Sequence, residues 1–413
     1  MFGQTLRALR HRNYRLYFSG QVFSLIGTWM QIVAVGWLVI RVTNSAFLLG
    51  VVTAMETLPS LFFSLLAGAG ADLFDKRRVA VVTQTLCALQ ALALGLLVMT
   101  GRATFWSIFW LALFVGIVNA FDLPVRQSLV FDIVGAEDLL NASALNSVIF
   151  NVARIIGPAI AALIIERAGE AVNFFANSIS YVFVVAALVA MRTEPPEAAE
   201  DAHRVVVRHA LEGVASIARH PLLSRIFIAL IAYSIFGFNY VLLMPVIVKL
   251  ELHRTAGALG LLLSSLGAGA LFGSLALAGR ARSSLGSLVV TSFLFPTSII
   301  AFSLAHQLPA AAVLVAVLGF AMVQFVVRLT TFLQTQAGEG MRGRVLGLYN
   351  MLMMGLAPVG ALQAGALAQR FGASVALGIG GDICLIASIW LWLRSLTRRR
   401  ESQAEEGTVA AAR

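Results

Sequence analysis

Glu56 is the single charged residue between positions 42 and 71, in a stretch that is otherwise apolar or uncharged. If that stretch crosses a bilayer, the charge of a carboxylate is costly there. Three kinds of chemistry suit a lone carboxyl in such a place: carrying a proton, binding a cationic substrate, or holding a neighbouring helix. Pro59, three residues on, lacks a backbone N–H and can open a carbonyl to the same space. Arg154 is the second ionisable residue of this kind. Asn146, Phe150 and Arg154 follow at four-residue steps, with Asn151 three residues before the arginine, so a helix would set a guanidinium on an amide-bearing stripe. That stripe suits an anionic substrate, a pair with Glu56, or a structural contact between helices. Asp122 and Arg126 are also four apart, but Pro124 between them interrupts regular helix, so the spacing alone does not join them. A gating or structural role is expected for this pair.

Other polar residues inside apolar runs outline a cavity. Gln21, Gln31, Asn146, Asn239, Gln324, Arg328 and Asp382 are the candidates to line it, with Tyr240 and Asn350 beside them; each also suits a packing hydrogen bond. Trp29, Trp37, Phe236 and Phe238 fit an apolar pocket or the lipid boundary equally well. Soluble catalytic chemistry has no comparable set. There is no Gly-rich phosphate loop ending in Lys-Ser/Thr, and the six histidines show no metal-ligand spacing. No nucleophile, base and orienting residue come together either. No cofactor or metal is expected, and the chain is not read as an enzyme.

The elements that must hold these residues follow from composition. The chain has 413 residues, 59% hydrophobic and 12% charged. A soluble domain carries about a quarter charged residues, so this surface is made for lipid. Residues 79–101 carry no charge, enough for a helix through the hydrocarbon core. Phenylalanine and glycine, at 27 and 35 residues, suit helices packed in a membrane. The net charge of +10 sits in short connections, which indicates topology rather than nucleic-acid binding. Cys87 and Cys384 lie in apolar runs as small hydrophobes. The apolar run 16–40 is too long for a signal-peptide core and reads as a retained first helix.

Twelve spans are expected, with helices near 16–40, 46–70, 79–100, 104–122, 141–165 and 171–191, then 222–248, 256–279, two within 283–327, 344–368 and 373–393. The polar segment 192–220 divides an N-terminal bundle, 1–191, from a C-terminal one, 221–394, and 395–413 forms a tail. With the N-terminus inside, the cytoplasmic connections hold most of the lysines and arginines, whereas the opposite side holds Arg41, Arg102, Arg167, Lys249, Arg254 and Arg370. That bias places both termini, the linker and the tail in the cytoplasm. The halves also match weakly. Gly50–Leu65 aligns with Gly260–Leu275 at an offset of 210, and Gly157 with Gly360 at an offset of 203.

The most polar short turn is Gly68-Ala-Gly-Ala-Asp72-Leu-Phe-Asp-Lys-Arg77-Arg78, set between two apolar runs. Gly68 and Gly70 permit close helix approach, and Asp72 can meet a neighbouring helix N-terminus. Gly279–Arg280–Ala281–Arg282 is its counterpart in the second half, without the carboxylates. This turn resembles the signature that the major facilitator superfamily of secondary transporters carries between its second and third helices. Gly68, Asp72, Arg77 and Arg78 fit it, while Leu73 and Asp75 replace a usual basic residue and glycine. The likeness covers about 14–394. Arg12–Asn13–Tyr14–Arg15–Leu16–Tyr17 and Asp122–Leu123–Pro124–Val125–Arg126–Gln127 are similar to the bacterial branch that includes the enterobactin exporter and multidrug or macrolide efflux proteins. On the fifth span, Ala153, Gly157–Pro158 and Ala161–Ala162 resemble an antiporter signature of exporters, with only the Gly-Pro retained.

The resemblance implies an all-α integral membrane protein of the bacterial cytoplasmic membrane, with two six-helix bundles around a central cavity and alternating access by rocking of the halves. The function expected is proton-coupled efflux of amphipathic small molecules, drugs or secreted metabolites, by a functional monomer, with Glu56 and Arg154 as the proton-coupling candidates. A facilitator or importer of a hydrophilic metabolite, anchored by Gln21, Gln31, Asn239 and Gln324, is the alternative. A channel and a membrane-embedded enzyme are the further alternatives.

Overall fold

A chain surrounded by lipid must satisfy its backbone polar groups within itself, and for long uncharged runs that means helix. The structure is a computed structural model and describes residues 6–70, 75–191, 221–277, 284–337 and 341–411, the side chains of 64–70 and 395–411 excepted. A 3-10 turn at Arg7–Arg10 leads into eleven helices. They are α1 (Arg12–Thr43), α2 (Ala46–Gly70), α3 (Lys76–Met99), α4 (Phe105–Ala168) and α5 (Glu170–Ala190). The set continues with α6 (Pro221–Glu251), α7 (Ala256–Leu277), α8 (Leu285–Ser303), α9 (Leu308–Gln336), α10 (Arg342–Phe371) and α11 (Ala373–Ala411). Among the described residues, these eleven are the helices long and apolar enough to cross a membrane. Asp72, the linker 192–220 and the turn Gly279–Arg282 lie outside the described residues.

Helix α4 departs from the expected boundaries. Two helices with a connection over 123–140 are expected there, yet helix runs throughout its 64 residues except at Gly135, where φ is 72° and ψ is 176°. A straight helix of that length would measure roughly 96 Å, some three times the hydrocarbon core. Gly135 is where the two limbs part, in a backbone conformation that a residue without Cβ takes at little cost. Charge at Arg126, Asp132, Glu137 and Asp138 excludes this segment from the bilayer centre, but not from helix. Two other helices are also interrupted. In α6, π-helical turns at Tyr233–Gly237 and Ile247–Glu251 flank a break at Phe238–Asn239, and α10 breaks at Leu356 ahead of Pro358.

Within the N-terminal set, α1 packs on α4 and α5, α2 on α4, and α3 on α5 and α4. Within the C-terminal set, α7 packs on α9, α8 on α9 and α11, and α10 on α11. The sets meet mainly where α4 crosses α7 and α2 crosses α10. Both crossings depend on missing side chains. A Cβ on Gly50 would stand 2.5 Å from the Ala361 carbonyl oxygen and 3.2 Å from Gly365 Cα. A Cβ on Gly260 would meet Ala162 Cβ and stand 2.8 Å from the Pro158 carbonyl oxygen. The internal offsets of the sequence carry one crossing onto the other: 50 becomes 260 by adding 210, and 158 and 162 become 361 and 365 by adding 203. Close backbone approach of this kind substitutes dispersion contacts for the hydrophobic drive that lipid does not supply.

The end reached by the N-terminal turn, here the terminal face, carries ion pairs of Arg7 with Glu137 (3.0 Å) and Asp138 (2.8 Å), His11 with Asp138 (2.8 Å), and Lys76 with Asp132 (2.8 Å). On the far face Arg41 pairs with Glu170 at 2.8 Å, and Lys249 lies 4.8 Å above the Trp37 ring.

Candidate functional site

Two chambers lie between the helices. The inner one, about 380 Å³, takes its walls from both sets: Thr53, Glu56 and Thr57 of α2, Gln31 of α1, Gln90 of α3, Asn119 of α4, Ser234, Phe238 and Asn239 of α6, and Met353 of α10. The outer chamber, about 940 Å³, is lined almost wholly by α1 and α4, with Gln21, Asp122, Arg126 and Asn146 among its polar residues and Met354 closing it from the other set. Thr28, Asn119 and Tyr181 line both. The outer chamber reaches Tyr17 and Leu139, and so lies toward the terminal face.

Glu56 is where the sequence led one to look. Its helix is pressed against α4 by Gly116, whose missing Cβ would stand 2.5 Å from the Glu56 carbonyl oxygen and 2.9 Å from that of Met55. The backbone at Glu56 is therefore fixed, and the side chain turns to the inner chamber. Its carboxylate has no ion pair or hydrogen bond among the described residues. Of the alternatives open for Arg154, a pair with Glu56 is not formed. Arg154 lies where α4 crosses α7, its backbone carbonyl against Gly267, and lines neither chamber. It is 9% exposed, and its Nε and Nη2 make no hydrogen bond.

Asp122 and Arg126 do meet, because helix persists through Pro124. Asp122, 1% exposed, accepts from Thr83 Oγ1 at 2.6 Å and Gln84 Nε2 at 3.0 Å, and its Oδ2 lies 2.6 Å from Arg126 Nε. That Nε–H has no well-aligned acceptor, so the contact is ionic rather than a directed hydrogen bond. Arg126 Nη1 donates to Gln21 Oε1 at 2.9 Å. The pair thus ties α1, α3 and α4 together beside the outer chamber.

The remaining candidates divide. Gln31 and Asn239 line the inner chamber, and Gln21 and Asn146 the outer one. Asn239 donates to the Ile235 carbonyl at 2.6 Å across the α6 break, and Asn146 accepts from Tyr14 Oη at 3.2 Å. Gln324 instead donates to the Gly273 carbonyl at 2.8 Å and accepts from Arg328 Nε at 3.2 Å, joining α7 to α9 away from both chambers. Asp382 is exposed on α11 and lines neither chamber. In the basic turn, Arg77 donates to the Leu188 and Val189 carbonyls at 2.7 and 2.6 Å, capping the end of α5, while Arg78 is exposed, 3.3 Å from Asp75. Asp75, placed where the signature has glycine, caps α3 by accepting from the Arg77 and Arg78 amides. Gly68 lies in α2. Gly157 packs on α1, where a Cβ would stand 2.6 Å from Trp29 Cβ, and Pro158 presents its carbonyl to Gly260, so the Gly-Pro pair serves two interfaces at once.

Gln90, Asn119 and Asn177 were missed by sequence reasoning. Each is a neutral amide in an apolar run, with nothing in its sequence neighbourhood to set it apart from amides that serve packing. Glu166 was missed as well. It accepts from Thr255 Oγ1 and from the Gly257 amide at 2.9 Å, bridging α4 to the start of α7 on the far face.

A largely apolar chamber edged by amides and one carboxyl thus lies between two helix sets that cross through glycines, an arrangement suited to passing a small molecule between them. Residues 4–410 match the family model described as transmembrane secretion effector, and the chain belongs to this family of major facilitator transporters. It is 24% identical over 392 residues to the staphyloferrin A transporter of Staphylococcus aureus, covering 94% of this chain and 98% of that one. It is 27% identical over 357 residues to the multidrug efflux pump Tap of Mycolicibacterium fortuitum, covering 84% and 87%. The enterobactin exporter EntS of Shigella boydii is 24% identical over 407 residues, covering 97% and 96%. Among solved structures, the nucleoside transporter NupG superposes with a TM-score of 0.76 at 11% identity, over 92% of this chain and 98% of that one, a likeness of fold alone.

Proposed function

We propose that this protein exports amphipathic small molecules from the bacterial cytoplasm in exchange for protons, by alternating access between two six-helix bundles. In this reading the two limbs of α4 are separate spans, which gives twelve, and the terminal face is cytoplasmic. The observation that carries the proposal is Glu56: an unpaired carboxylate on the wall of a chamber to which both helix sets contribute. Apolar residues and amides surround it, so its charge has no fixed counterion and a proton or a cationic substrate can neutralise it. Binding the two at one carboxyl links their free energies, as exchange requires. On the far face Glu166 and Gln369, which accepts from Ser45 Oγ at 2.9 Å, tie the two sets together, which supports reading the chambers as those of a cytoplasm-facing state. The named substrates of the similar proteins, siderophores and drugs, support export of amphipathic molecules. Asp122 and Arg126, with Arg77 and Arg78, belong to the gate in this reading, and Arg154, buried at the α4–α7 crossing without a hydrogen-bond partner for two of its nitrogens, is placed to respond when that crossing moves. One protomer holds the whole site.

The amides facing the chamber favour a second reading, facilitated passage of a hydrophilic metabolite. Inverted vesicles carrying the reconstituted protein separate the two. With an acidic lumen, uptake of a lipophilic cation such as ethidium is expected to follow the proton gradient and to be lost in Glu56→Gln. Uptake that ignores both the gradient and the substitution refutes the exchange.

A further inference from the structure

Three side-chain amides form one chain through the N-terminal set. Asn177 Nδ2 donates to Gln31 Oε1 at 2.6 Å, Gln31 Nε2 donates to Gln90 Oε1 at 3.1 Å, and Gln90 Nε2 donates to the Leu111 carbonyl at 3.4 Å. Helices α5, α1, α3 and α4 each supply one link. An amide can be turned end for end, so the direction of such a chain has to be established from a group that cannot turn. The Leu111 carbonyl is that group, since it only accepts. Gln90 must face it with nitrogen, which leaves Gln90 Oε1 for Gln31; Gln31 must answer with Nε2, which leaves its Oε1 for Asn177. The reverse order would set the Gln90 and Leu111 carbonyls against each other. At the other end, the single Ser180 hydroxyl hydrogen is shared between the Asn177 backbone carbonyl at 2.7 Å and Asn177 Oδ1 at 3.0 Å, so the order rests on the Leu111 end. Asn177 is 0% exposed and lines neither chamber, whereas Gln31 and Gln90 line the inner one.

The direction has a consequence for the chamber. Each NH₂ group carries two hydrogens, and the chain uses one from Gln31 and one from Gln90. The second hydrogen of each is a donor these two residues have left for a bound molecule, while each Oε1 is already drawn into the chain by one bond. We propose that Gln31 and Gln90 form a hydrogen-bond-donor wall that selects substrates bearing an acceptor oxygen, with its direction set by the Leu111 carbonyl, and that Asn177, donating to Gln31 Oε1, is the positioning residue that holds Gln31 in that wall. The inference rests on the export reading only in taking the inner chamber as the substrate site. With Glu56 as the acceptor across the chamber, the substrate class becomes an amphipathic cation that carries an ether or carbonyl oxygen.

Equilibrium binding to the full-length protein in lipid nanodiscs tests this without any gradient. The probes are methyltriphenylphosphonium and its analogue with one para-methoxy group, which differ by a single ether oxygen. The unaltered protein should bind the methoxy probe about five-fold more tightly, the worth of one net hydrogen bond. In Asn177→Leu that preference should fall to unity while the affinity for the parent cation stays within two-fold, a split that general loosening of the fold would not produce. Adding Asn177→Leu to Gln31→Leu should change the preference no further, since residues in one network are not additive. Should Asn177→Leu fail to fold, Gln90→Met removes the anchor at Leu111 and should abolish the preference in the same way. Equal binding of the two probes by the unaltered protein, failure to bind either, or a preference that survives both substitutions overturns the proposal. Preferential binding without proton-driven transport would sustain it and refute the exchange mechanism instead.

Discussion

The carboxylate of Glu166 is expected to hold the far face closed, and its removal to open it. The side chain leaves the end of α4 and accepts from Thr255 Oγ1 and the Gly257 amide at the start of α7, so a single residue spans the two helix sets. A carboxylate in that position satisfies orphan N–H groups and opposes the positive end of the α7 dipole. Capping is worth ~1 kcal/mol, and the dipole adds only a few tenths of a kcal/mol at an exposed site such as this. A loss of ~1 kcal/mol in one of two states shifts their ratio about five-fold. Glu166→Ala should therefore raise the ratio of far-face-open to far-face-closed protein by about that factor, and Glu166→Gln, which keeps one acceptor, by less. Spin labels at the exposed positions Val42 and Arg254 report the opening as a distance distribution. The protein contains its own control. Glu251 caps the start of α11 by accepting from the Ala373 and Ser374 amides, with both partners in the C-terminal set. Glu251→Ala should lower the unfolding temperature and leave the distance distribution unchanged. A Glu166→Ala distribution within two-fold of the unaltered protein, or an equal shift in Glu251→Ala, would refute the reasoning.

Two further outcomes follow from close packing and from the buried pair. Gly116→Ala inserts a methyl group 2.5 Å from the Glu56 carbonyl oxygen, where only backbone can yield; overpacking of ~1–3 kcal/mol should appear as a lowered unfolding temperature together with a raised KM in the ethidium uptake assay, and transport kinetics at normal KM would count against a fixed Glu56 backbone. Asp122→Asn leaves Arg126, partly exposed on the wall of the outer chamber, without its counterion, a loss below the ~3–5 kcal/mol of a fully buried pair broken at one partner. Thermal unfolding of the double variant Asp122→Asn/Arg126→Gln should recover at least half of that loss, and additive losses would show that the two do not act as a pair.

How much of this was readable beforehand depended on what kind of signal each residue leaves. Charge in an apolar run is conspicuous, so Glu56 and the Asp122–Arg126 pair stand out, and Glu56 does line the inner chamber. Glycine repeats were readable too: the offsets that relate Gly50 to Gly260 and Gly157 to Gly360 foreshadow two crossings made from equivalent positions. Partnership was not readable. Arg154 and Glu56 are both costly charges, and pairing them was one of three alternatives the spacing left open, yet they face different interfaces because α4 sets Arg154 against α7. Gln324 and Arg328 satisfy each other and the Gly273 carbonyl, which takes them out of the cavity. Neutral amides were read unevenly: Gln31 and Asn239 stood out and do line the inner chamber, whereas Gln90 and Asn177 add no charge, interrupt no periodicity and left no trace. Helix boundaries failed at 123–140 because charge was taken to end a helix, when it ends only the apolar part of one.

The inner chamber is built unequally by its two sides. On the N-terminal side its polar groups are tied in sequence, Asn177 to Gln31 to Gln90 to the Leu111 backbone, and Gly116 locks the backbone behind Glu56. On the C-terminal side the wall is α6, whose helix breaks at Phe238–Asn239 between two π-helical turns, with Asn239 reaching back to the Ile235 carbonyl across the break. Such π turns replace the regular bonding pattern with a weaker one and cluster at functional positions in helices. A wall of fixed amides opposite a wall with a broken helix gives one side the task of recognition and leaves the other to yield. Substitutions in the amide chain should then alter which molecules bind, whereas substitutions at the α6 break should alter how quickly a bound molecule passes.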